Sequence, residues 1–263
     1  MITNKKIVLT GASSGIGKEV LGLICAPELG NQIIAASRSI GKMSGYGENV
    51  ICHPCDLSTK EGIDGLFEKL ESVFDKADIF IANAGMPYYE VYNYVDWERI
   101  QNIFNVNSIG PAYTYAKYLE HLNGREGHLV MTVSAMGEMA IPGYALYAAT
   151  KFAMKGFQEA IRFEKPENLT FTCIYPVATE TNFFKVGGGE IEAEKAFPVQ
   201  TVDKVARAVV RGVEKQKKNI YPCKIYRPSK VLMNILPFVK KIYWSMEKKK
   251  LERFLKRKEE AAK

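Results

Sequence analysis

A chain of 263 residues with 47% hydrophobic and 25% charged residues can bury a large core without staples, and its five cysteines (Cys25, Cys52, Cys55, Cys173 and Cys223) are an odd number without framework spacing. Of the net charge of +7, most sits at the end, where residues 240–263 hold ten Lys and Arg against four Glu; this excludes a dispersed basic surface for nucleic acid. No run of about 18 uncharged apolar residues occurs, so no membrane span is expected, and MITNKKIVLTG leads straight into structure, so a reducing, cytoplasmic setting is the simplest expectation.

Lys6–Thr10 (KIVLT) predicts a buried strand, followed by the tight turn GASSGIG and a helix from Ile16 to Ile24. Asn31–Ser37 and Val50–Cys55 predict the second and third strands. Thr59–Phe74 has helical periodicity, and Ala77–Ala82 predicts a fourth strand ending in Asn83-Ala84-Gly85. A long helix is expected from Asp96 to about His121, a fifth strand over Gly127–Ser134, a helix from Tyr147 to about Glu164, and a sixth strand over Leu169–Pro176. The stretch 178–200, with Gly187-Gly188-Gly189, lacks clear periodicity and reads as a mobile loop over the site. Thr201–Lys215 predicts a helix and Lys218–Pro222 a seventh strand. The strands are continuous apolar runs alternating with helices, which is the pattern of an α/β fold: a doubly wound, mostly parallel seven-stranded sheet flanked by helices, the Rossmann fold. Residues 1–227 read as one catalytic domain and 228–263 as an extension.

The turn after the first strand places glycines at 11, 15 and 17 ahead of a helix. Gly11 permits the turn, Gly15 lets backbone approach a pyrophosphate at the helix N-terminus, and Gly17 lets the helix pack on the strand. The Gly-Lys-Ser/Thr of a nucleoside triphosphate loop is missing. At the end of the second strand, where an acidic residue would bond ribose hydroxyls, stand Ser37 and Arg38; an arginine suits a 2′-phosphate. The expected cofactor is therefore NADP(H) rather than NAD(H).

Tyr-x-x-x-Lys occurs three times, at Tyr113/Lys117, Tyr147/Lys151 and Tyr226/Lys230. Pro228 disfavours a regular helix across the last pair. Only Tyr147 has a serine thirteen residues before it, Ser134. On a helix, Tyr147 and Lys151 share a face. An ammonium beside a phenol favours phenolate and is expected to lower the Tyr147 pKa, giving a group that exchanges protons near neutral pH. With a serine hydroxyl to hold the receiving oxygen, this is carbonyl–alcohol chemistry fed by a hydride carrier.

With these residues in hand, the sequence resembles the short-chain dehydrogenase/reductase family over residues 4–225, through Thr10-Gly11-x-x-x-Gly15-x-Gly17, Asp56, Asn83-Ala84-Gly85, Asn107, Ser134, Tyr147-x-x-x-Lys151 and Pro176 with Thr181. The resemblance implies Tyr147 as proton donor, Lys151 as its modulator and a ligand of the ribose hydroxyls, and Ser134 as holder of the substrate oxygen. It implies Asn107 as the bend of its helix around a water that links Lys151 to solvent. Cofactor contacts are implied for Gly11, Ser13, Ser14, Gly15, Ile16 and Gly17, for Arg38, for Asp56 and Leu57 by the adenine, and for Asn83, Ala84 and Gly85 along the adenosine ribose. Further contacts are implied for Tyr147 and Lys151, and for Pro176, Val177, Thr179 and Thr181 by the nicotinamide. Where the family pattern has Pro-Gly this chain has Pro176-Val177, which limits backbone freedom there. Relatives commonly pair through the helices that include 96–121 and 147–164, so a homodimer or homotetramer is expected.

Cys52-His53-Pro54-Cys55 falls on a strand and has no second pair, so no metal is expected. Tyr88, Tyr89, Tyr92 and Tyr94 crowd one segment and, with Tyr144, Phe183 and Phe184, suit equally the wall of an apolar substrate pocket and ordinary packing over the next helix. The extension interleaves Val231, Leu232, Ile235, Leu236, Val239, Ile242 and Phe254 with Lys and Arg and is broken at Pro237. A basic amphipathic stretch reads either as a membrane-surface contact or as a segment packed on protein. Its layout is similar to that of the lipid-facing reductases that include 11β-hydroxysteroid dehydrogenase. The expected activity is interconversion of a ketone and a secondary alcohol on a lipophilic small molecule, steroid-like or acyl. The alternatives are a 3-oxoacyl-[acyl-carrier-protein] reductase and a non-catalytic dinucleotide-binding protein.

Overall fold

The computed structural model describes residues 1–261. Seven strands form a single parallel sheet in the order β3-β2-β1-β4-β5-β6-β9: β1 Lys6–Thr10, β2 Gln32–Ser37, β3 Val50–Pro54, β4 Ile79–Ala82, β5 Gly127–Thr132, β6 Leu169–Ile174 and β9 Asn219–Ile220. The crossovers are α1 Gly15–Ile24, α2 Lys60–Val73, α3 Trp97–Phe104 continuing into α4 Gly110–Leu122, α5 Ala145–Glu164 and α7 Val202–Glu214. This is the doubly wound Rossmann architecture that the alternation predicted.

The continuous apolar runs resolve into two faces. Val8 pairs in register with Ile34 and Phe80 and joins the core under α2 and α4, with Leu66, Phe67 and Tyr118. Its neighbours Ile7 and Leu9 point the other way, into the core under α1 and α7, with Leu21, Val209 and Val213. A strand buried on both sides hides its period of two, because both positions must be apolar. The order of the strands reverses between β1 and β4, and the crevice at their carboxyl ends is where such sheets take ligands.

Helix starts follow capping chemistry. Thr59 accepts from the Gly62 amide at 3.1 Å ahead of α2, and Asp96 accepts from the Arg99 amide at 2.8 Å ahead of α3. The predicted long helix runs to Leu122 but carries a π-helical turn at Asn105–Ile109.

Two expectations are corrected, and one open alternative is decided. The stretch 178–200 is not irregular: it forms β7 Ala178–Thr179, α6 Phe183–Gly188 and β8 Val199–Gln200, with β7 and β8 paired in parallel. Its elements are too short to register as periodicity, and buried Phe184 anchors them. Pro228 does not prevent a helix across Tyr226 and Lys230, since α8 spans Tyr226–Ile235 and the proline sits in the first turn, where amides have no intrahelical acceptor. Nor does the tyrosine-rich segment serve chiefly as pocket wall. Tyr89 is buried, with ring centroids 4.7 Å from Tyr144 and 4.9 Å from Phe254, and Tyr88 lies under the Arg99 guanidinium at 3.7 Å.

Pro237 opens α9, Pro237–Ala261. Leu251 and fully buried Phe254 pack from α9 into a third cluster with Tyr89, Tyr144, Tyr147 and Phe184. Polar ties add to this packing: Trp244 Nε1 donates to Ala140 O at 2.9 Å, Tyr243 OH to Phe197 O at 2.8 Å, and Arg253 to Glu194 at 2.6 Å. Among the described residues, no helix is long and apolar enough to cross a membrane.

Candidate active site

The glycine turn between β1 and α1 is shaped by close approach. A Cβ on Gly17 would sit 2.2 Å from Gly11 O, so only glycine lets α1 start directly beneath the turn. Gly11 has φ +69°, in the region that glycine occupies without strain. Thr10 fastens the next strand to this turn, its Oγ1 accepting from the amides of Asn83 at 3.1 Å and Ala84 at 3.2 Å. The Asn83 side chain accepts in turn from Thr132 Oγ1 at 3.3 Å. The ends of β1, β4 and β5 are thereby locked together under the crevice.

Beside the turn, Ser13 and Ser37 share a hydrogen bond of 2.6 Å, and Arg38 follows at the surface. Asp56 Oδ1 accepts from the Ser58 amide at 3.0 Å and the Ser58 hydroxyl at 2.8 Å. Partial burial raises the Asp56 pKa, but these two bonds and the Arg38 charge outweigh it and hold the carboxyl below its usual value.

Deeper in, Ser134, Tyr147 and Lys151 meet. Tyr147 and Lys151 are buried on α5, with Lys151 Nζ 5.6 Å from the Tyr147 ring centroid. Lys151 Nζ donates to Thr132 O at 3.0 Å. Ser134 follows β5 with φ +81° and ψ 151°, a conformation that costs a non-glycine residue roughly 1–3 kcal/mol and that its surroundings must hold. The Ser134 hydroxyl accepts from the Met136 amide at 3.2 Å, and the Ser134 side chain faces Tyr147 closely enough to favour its phenolate.

The electrostatics correct one expectation. Burial pushes the Tyr147 phenol up to about 12, and the Ser134 hydroxyl beside it only partly offsets this. Burial also draws Lys151 down to about 8. An ammonium that is itself desolvated and hydrogen-bonded to Thr132 does not win against the burial of the phenol. Neutral phenol, rather than phenolate, is the resting form.

Asn107 lies in the π-helical turn and is fully buried. Its amide spans the backbone of Met86, accepting from Met86 N at 2.9 Å and donating to Met86 O at 2.8 Å, and it also donates to Thr150 Oγ1 at 3.1 Å. A Cβ on Gly85 would lie 3.2 Å from Asn107 Oδ1 and 3.6 Å from Lys151 Nζ, so a bare backbone runs between them.

A single cavity of about 690 Å³ joins these parts. Gly11, Ser13, Ser14, Gly15 and Ile16 line it, as do Arg38, Asp56, Leu57, Asn83, Ala84 and Gly85. Ser134, Tyr147, Lys151, Pro176, Val177, Thr179 and Thr181 line it too. Gly17 and Asn107 lie behind the wall, shaping it without facing the space. Thr179 Oγ1 turns to Val177 O at 2.9 Å, and Thr181 Oγ1 accepts from the Phe183 amide at 3.3 Å. Val177 packs against the cluster of Ala135, Cys223 and Tyr226, so the side chain that replaces the family glycine anchors α8.

Sequence reasoning missed Lys42, a second cation in the wall near Arg38, whose signal was its place four residues on. It also missed the contribution of the extension. Tyr226, Ser229, Lys230, Met233, Val239, Ile242, Tyr243 and Met246 complete the wall opposite the glycine turn, with Met136, Met139, Phe183 and Phe197. Only folding brings residues so distant in sequence to Ser134.

A cradle of bare backbone and the exposed start of a helix, followed by a Ser–Tyr–Lys group in the same cavity, defines a dinucleotide-dependent oxidoreductase site. Over residues 5–188 the chain matches the family model described as short chain dehydrogenase, and it belongs to that family. It is 29% identical over 226 residues to 11-beta-hydroxysteroid dehydrogenase-like 3 of Arabidopsis thaliana, a match covering 81% of this chain and 71% of that protein. It is 25% identical to the 3-ketodihydrosphingosine reductase of Dictyostelium discoideum, over 93% of this chain and 81% of that protein. Among solved structures it is similar to an alcohol dehydrogenase from the archaeon Thermococcus sibiricus complexed with 5-hydroxy-NADP, at 25% identity and a TM-score of 0.71, covering 82% of this chain and 95% of that one. The chain spans 65% of the length of one curated relative, an oxidoreductase of Bacillus subtilis, and 83% of another, from Myxococcus xanthus.

Proposed function

We propose that this protein is an NADP(H)-dependent oxidoreductase that interconverts a ketone and a secondary alcohol on a lipophilic substrate, steroid-like or acyl. The observation that carries the reading is the meeting of Ser134, Tyr147 and Lys151 at the junction between a glycine-lined cradle and an apolar chamber within one cavity. Gly11 to Gly17, Asn83 to Gly85 and Thr181 would hold the dinucleotide. Arg38, supported by Ser37 and Lys42, would hold a 2′-phosphate through charge-assisted hydrogen bonds. The 5-hydroxy-NADP in the Thermococcus sibiricus enzyme favours the same cofactor.

Hydride is what the nicotinamide supplies when bound. The chain supplies position and the proton. Ser134 holds the carbonyl oxygen. Tyr147, neutral at physiological pH with its pKa near 12, donates a proton to that oxygen as negative charge develops on it. Lys151, with a pKa near 8, is largely charged at neutral pH and stabilises the phenolate left behind. Asn107 keeps the π-helical turn open and Met86 in place beside Lys151. In the alcohol-oxidising direction the same groups run in reverse, and the raised phenol pKa makes that direction favour alkaline pH.

The chamber wall of Met, Phe and Ile side chains supports a lipophilic substrate, as do the steroid and sphingoid names of the two eukaryotic relatives. A wall built from α8 and α9 speaks against an acyl-carrier-protein substrate, whose pantetheine arm needs an open approach. We treat 1–227 as the catalytic domain and 228–263 as the extension that encloses its substrate. Val231, Ile235, Phe238 and Ile242 remain exposed beside Lys240 and Lys241, which favours peripheral contact of a cytoplasmic protein with an anionic membrane surface. Exposed Ile109, Phe152 and Phe163 beside or on α4 and α5 favour a homodimer or homotetramer through those helices.

The test is a carbonyl and alcohol panel followed by NADPH absorbance, spanning steroids, β-ketoacyl esters, long-chain ketones and quinones. Turnover is expected for the wild type and not for Tyr147→Phe; equal inertness of both while NADPH binds would favour the non-catalytic alternative. Cosedimentation with anionic liposomes should weaken in the Ile235→Asp/Phe238→Asp variant, and equal pelleting rules out the membrane contact.

A further inference from the structure

The third Tyr-x-x-x-Lys pair, Tyr226/Lys230, has no place in the reaction, yet both its side chains reach the turn that carries Ser134. Tyr226, buried in the first turn of α8, donates from its hydroxyl to Ala135 O at 2.9 Å. Lys230, one helical turn on, stands 3.0 Å from the carboxylate of Glu138, whose side chain is only 5% exposed. Glu138 also accepts from Tyr221 OH at 3.1 Å and faces Lys155 at 3.7 Å. The segment 134–138 is thus gripped at Ala135 and at Glu138 by the first turns of α8, where the catalytic domain passes into the extension.

The turn needs such a grip. Ser134 has φ +81° and ψ 151°, and a non-glycine residue stays in that region only where its surroundings over-determine it. The neighbouring strand β6 and the turn itself supply part of the hold, since Ser134 N donates to Ile174 O at 3.1 Å and Gly137 N to Ser134 O at 3.0 Å. Ala135 O is the carbonyl that closes the turn, accepting from Glu138 N at 3.0 Å and Met139 N at 3.1 Å. Tyr226 bonds that same oxygen, from 91 residues away in the chain. Val177 and Tyr221 pack around Tyr226 and fix its ring.

We propose that Tyr226 and Lys230 are positioning residues that hold the Ser134 turn in its working conformation, so that the C-terminal extension sets the geometry of proton transfer as well as enclosing the substrate. The catalytic part of this inference rests on reading Ser134 as the holder of the substrate oxygen; the structural part stands without it. Tyr226→Phe keeps the ring packing and removes only the donor. Lys230→Met removes the partner of Glu138, and Lys230→Arg retains it.

The experiment pairs crystal structures of wild type, Tyr226→Phe and Lys230→Met with their kcat, KM, NADPH affinity and Tm. In both variants Ser134 is expected to leave positive φ, or the 134–138 turn to split into two conformers. For each, kcat should fall about tenfold or more and further than any change in KM, with NADPH affinity and Tm near wild type, and Lys230→Arg should restore kcat. A turn superimposable on wild type, with kcat unchanged, overturns the proposal. So does a fall in Tm and NADPH affinity without a selective loss of kcat, which is what mere structural support would produce. If the wild type turns over no carbonyl, the reading of the site fails while the geometry still decides the clamp: a relaxed Ser134 supports it and an unmoved one refutes it.

Discussion

The two halves of the cavity are built in opposite ways. The cradle half comes from residues 11–16, 37–42, 56–57 and 83–85, each following the carboxyl end of a strand. The chamber half is assembled from α6, the segment around Phe197, α8 and α9, whose contributions have no common motif. The first half is bare backbone and a few polar groups; the second is apolar side chain. A cofactor shared by many enzymes imposes one backbone geometry, while a substrate wall has only to exclude water and match a shape. The Ser134 turn lies at the boundary, bonded to the backbone of Ile174 and Pro176 on one side and to Tyr226 and Lys230 of α8 on the other.

Substitutions can break this contrast, and the largest effect is expected at the boundary. Tyr147→Phe should reduce turnover by roughly 10²- to 10⁴-fold, the usual worth of a positioned acid, while NADPH affinity stays near wild type by fluorescence titration. Loss of cofactor binding in parallel would mean that the two halves are not separable. In the chamber half, Phe254→Ala removes a fully buried ring from the cluster that includes Tyr147. A loss of about 3–5 kcal/mol in denaturant unfolding is expected. An effect below about 1 kcal/mol would mean that α9 is only loosely docked.

In the cradle half, Arg38→Ala should raise KM for NADPH by roughly 10- to 100-fold, as for a lost charged hydrogen bond, and leave KM for NADH little changed. Equal change for both cofactors sinks the 2′-phosphate assignment. The smallest effect expected is in pH dependence. Lys151, drawn down to about 8, is charged below that pH and neutral above it, whereas Tyr147, near 12, stays protonated throughout. Carbonyl reduction should therefore hold steady below pH 8 and decline several-fold above it, while alcohol oxidation rises toward alkaline pH. Lys151→Arg, charged at every pH tested, should remove the decline in the activity it retains. A reduction profile flat to pH 10 in the wild type would exclude Lys151 as the titrating group.

What the sequence determined by itself is the part written in local spacing. Alternating apolar runs give the parallel sheet, three glycines give the turn, and the offsets from Ser134 to Tyr147 and Lys151 give the reacting group, because each depends on residues that are neighbours in the chain or one helical turn apart. Tyr89 reads in sequence as either pocket wall or packing, and only the fold makes it core, because nothing nearby in the chain announces Phe254. Tyr226/Lys230 reads as a broken helix and is a whole one, because a proline in a first turn costs no hydrogen bond. The direction of the Tyr147 pKa was likewise not legible, since spacing reveals the neighbouring ammonium but not the burial of both groups. Only the tertiary structure decided how the extension meets the Ser134 turn. The contacts that do so, Tyr226 to Ala135 and Trp244 to Ala140, join residues 91 and 104 apart, and desolvation and packing over such separations leave no periodic trace in a sequence.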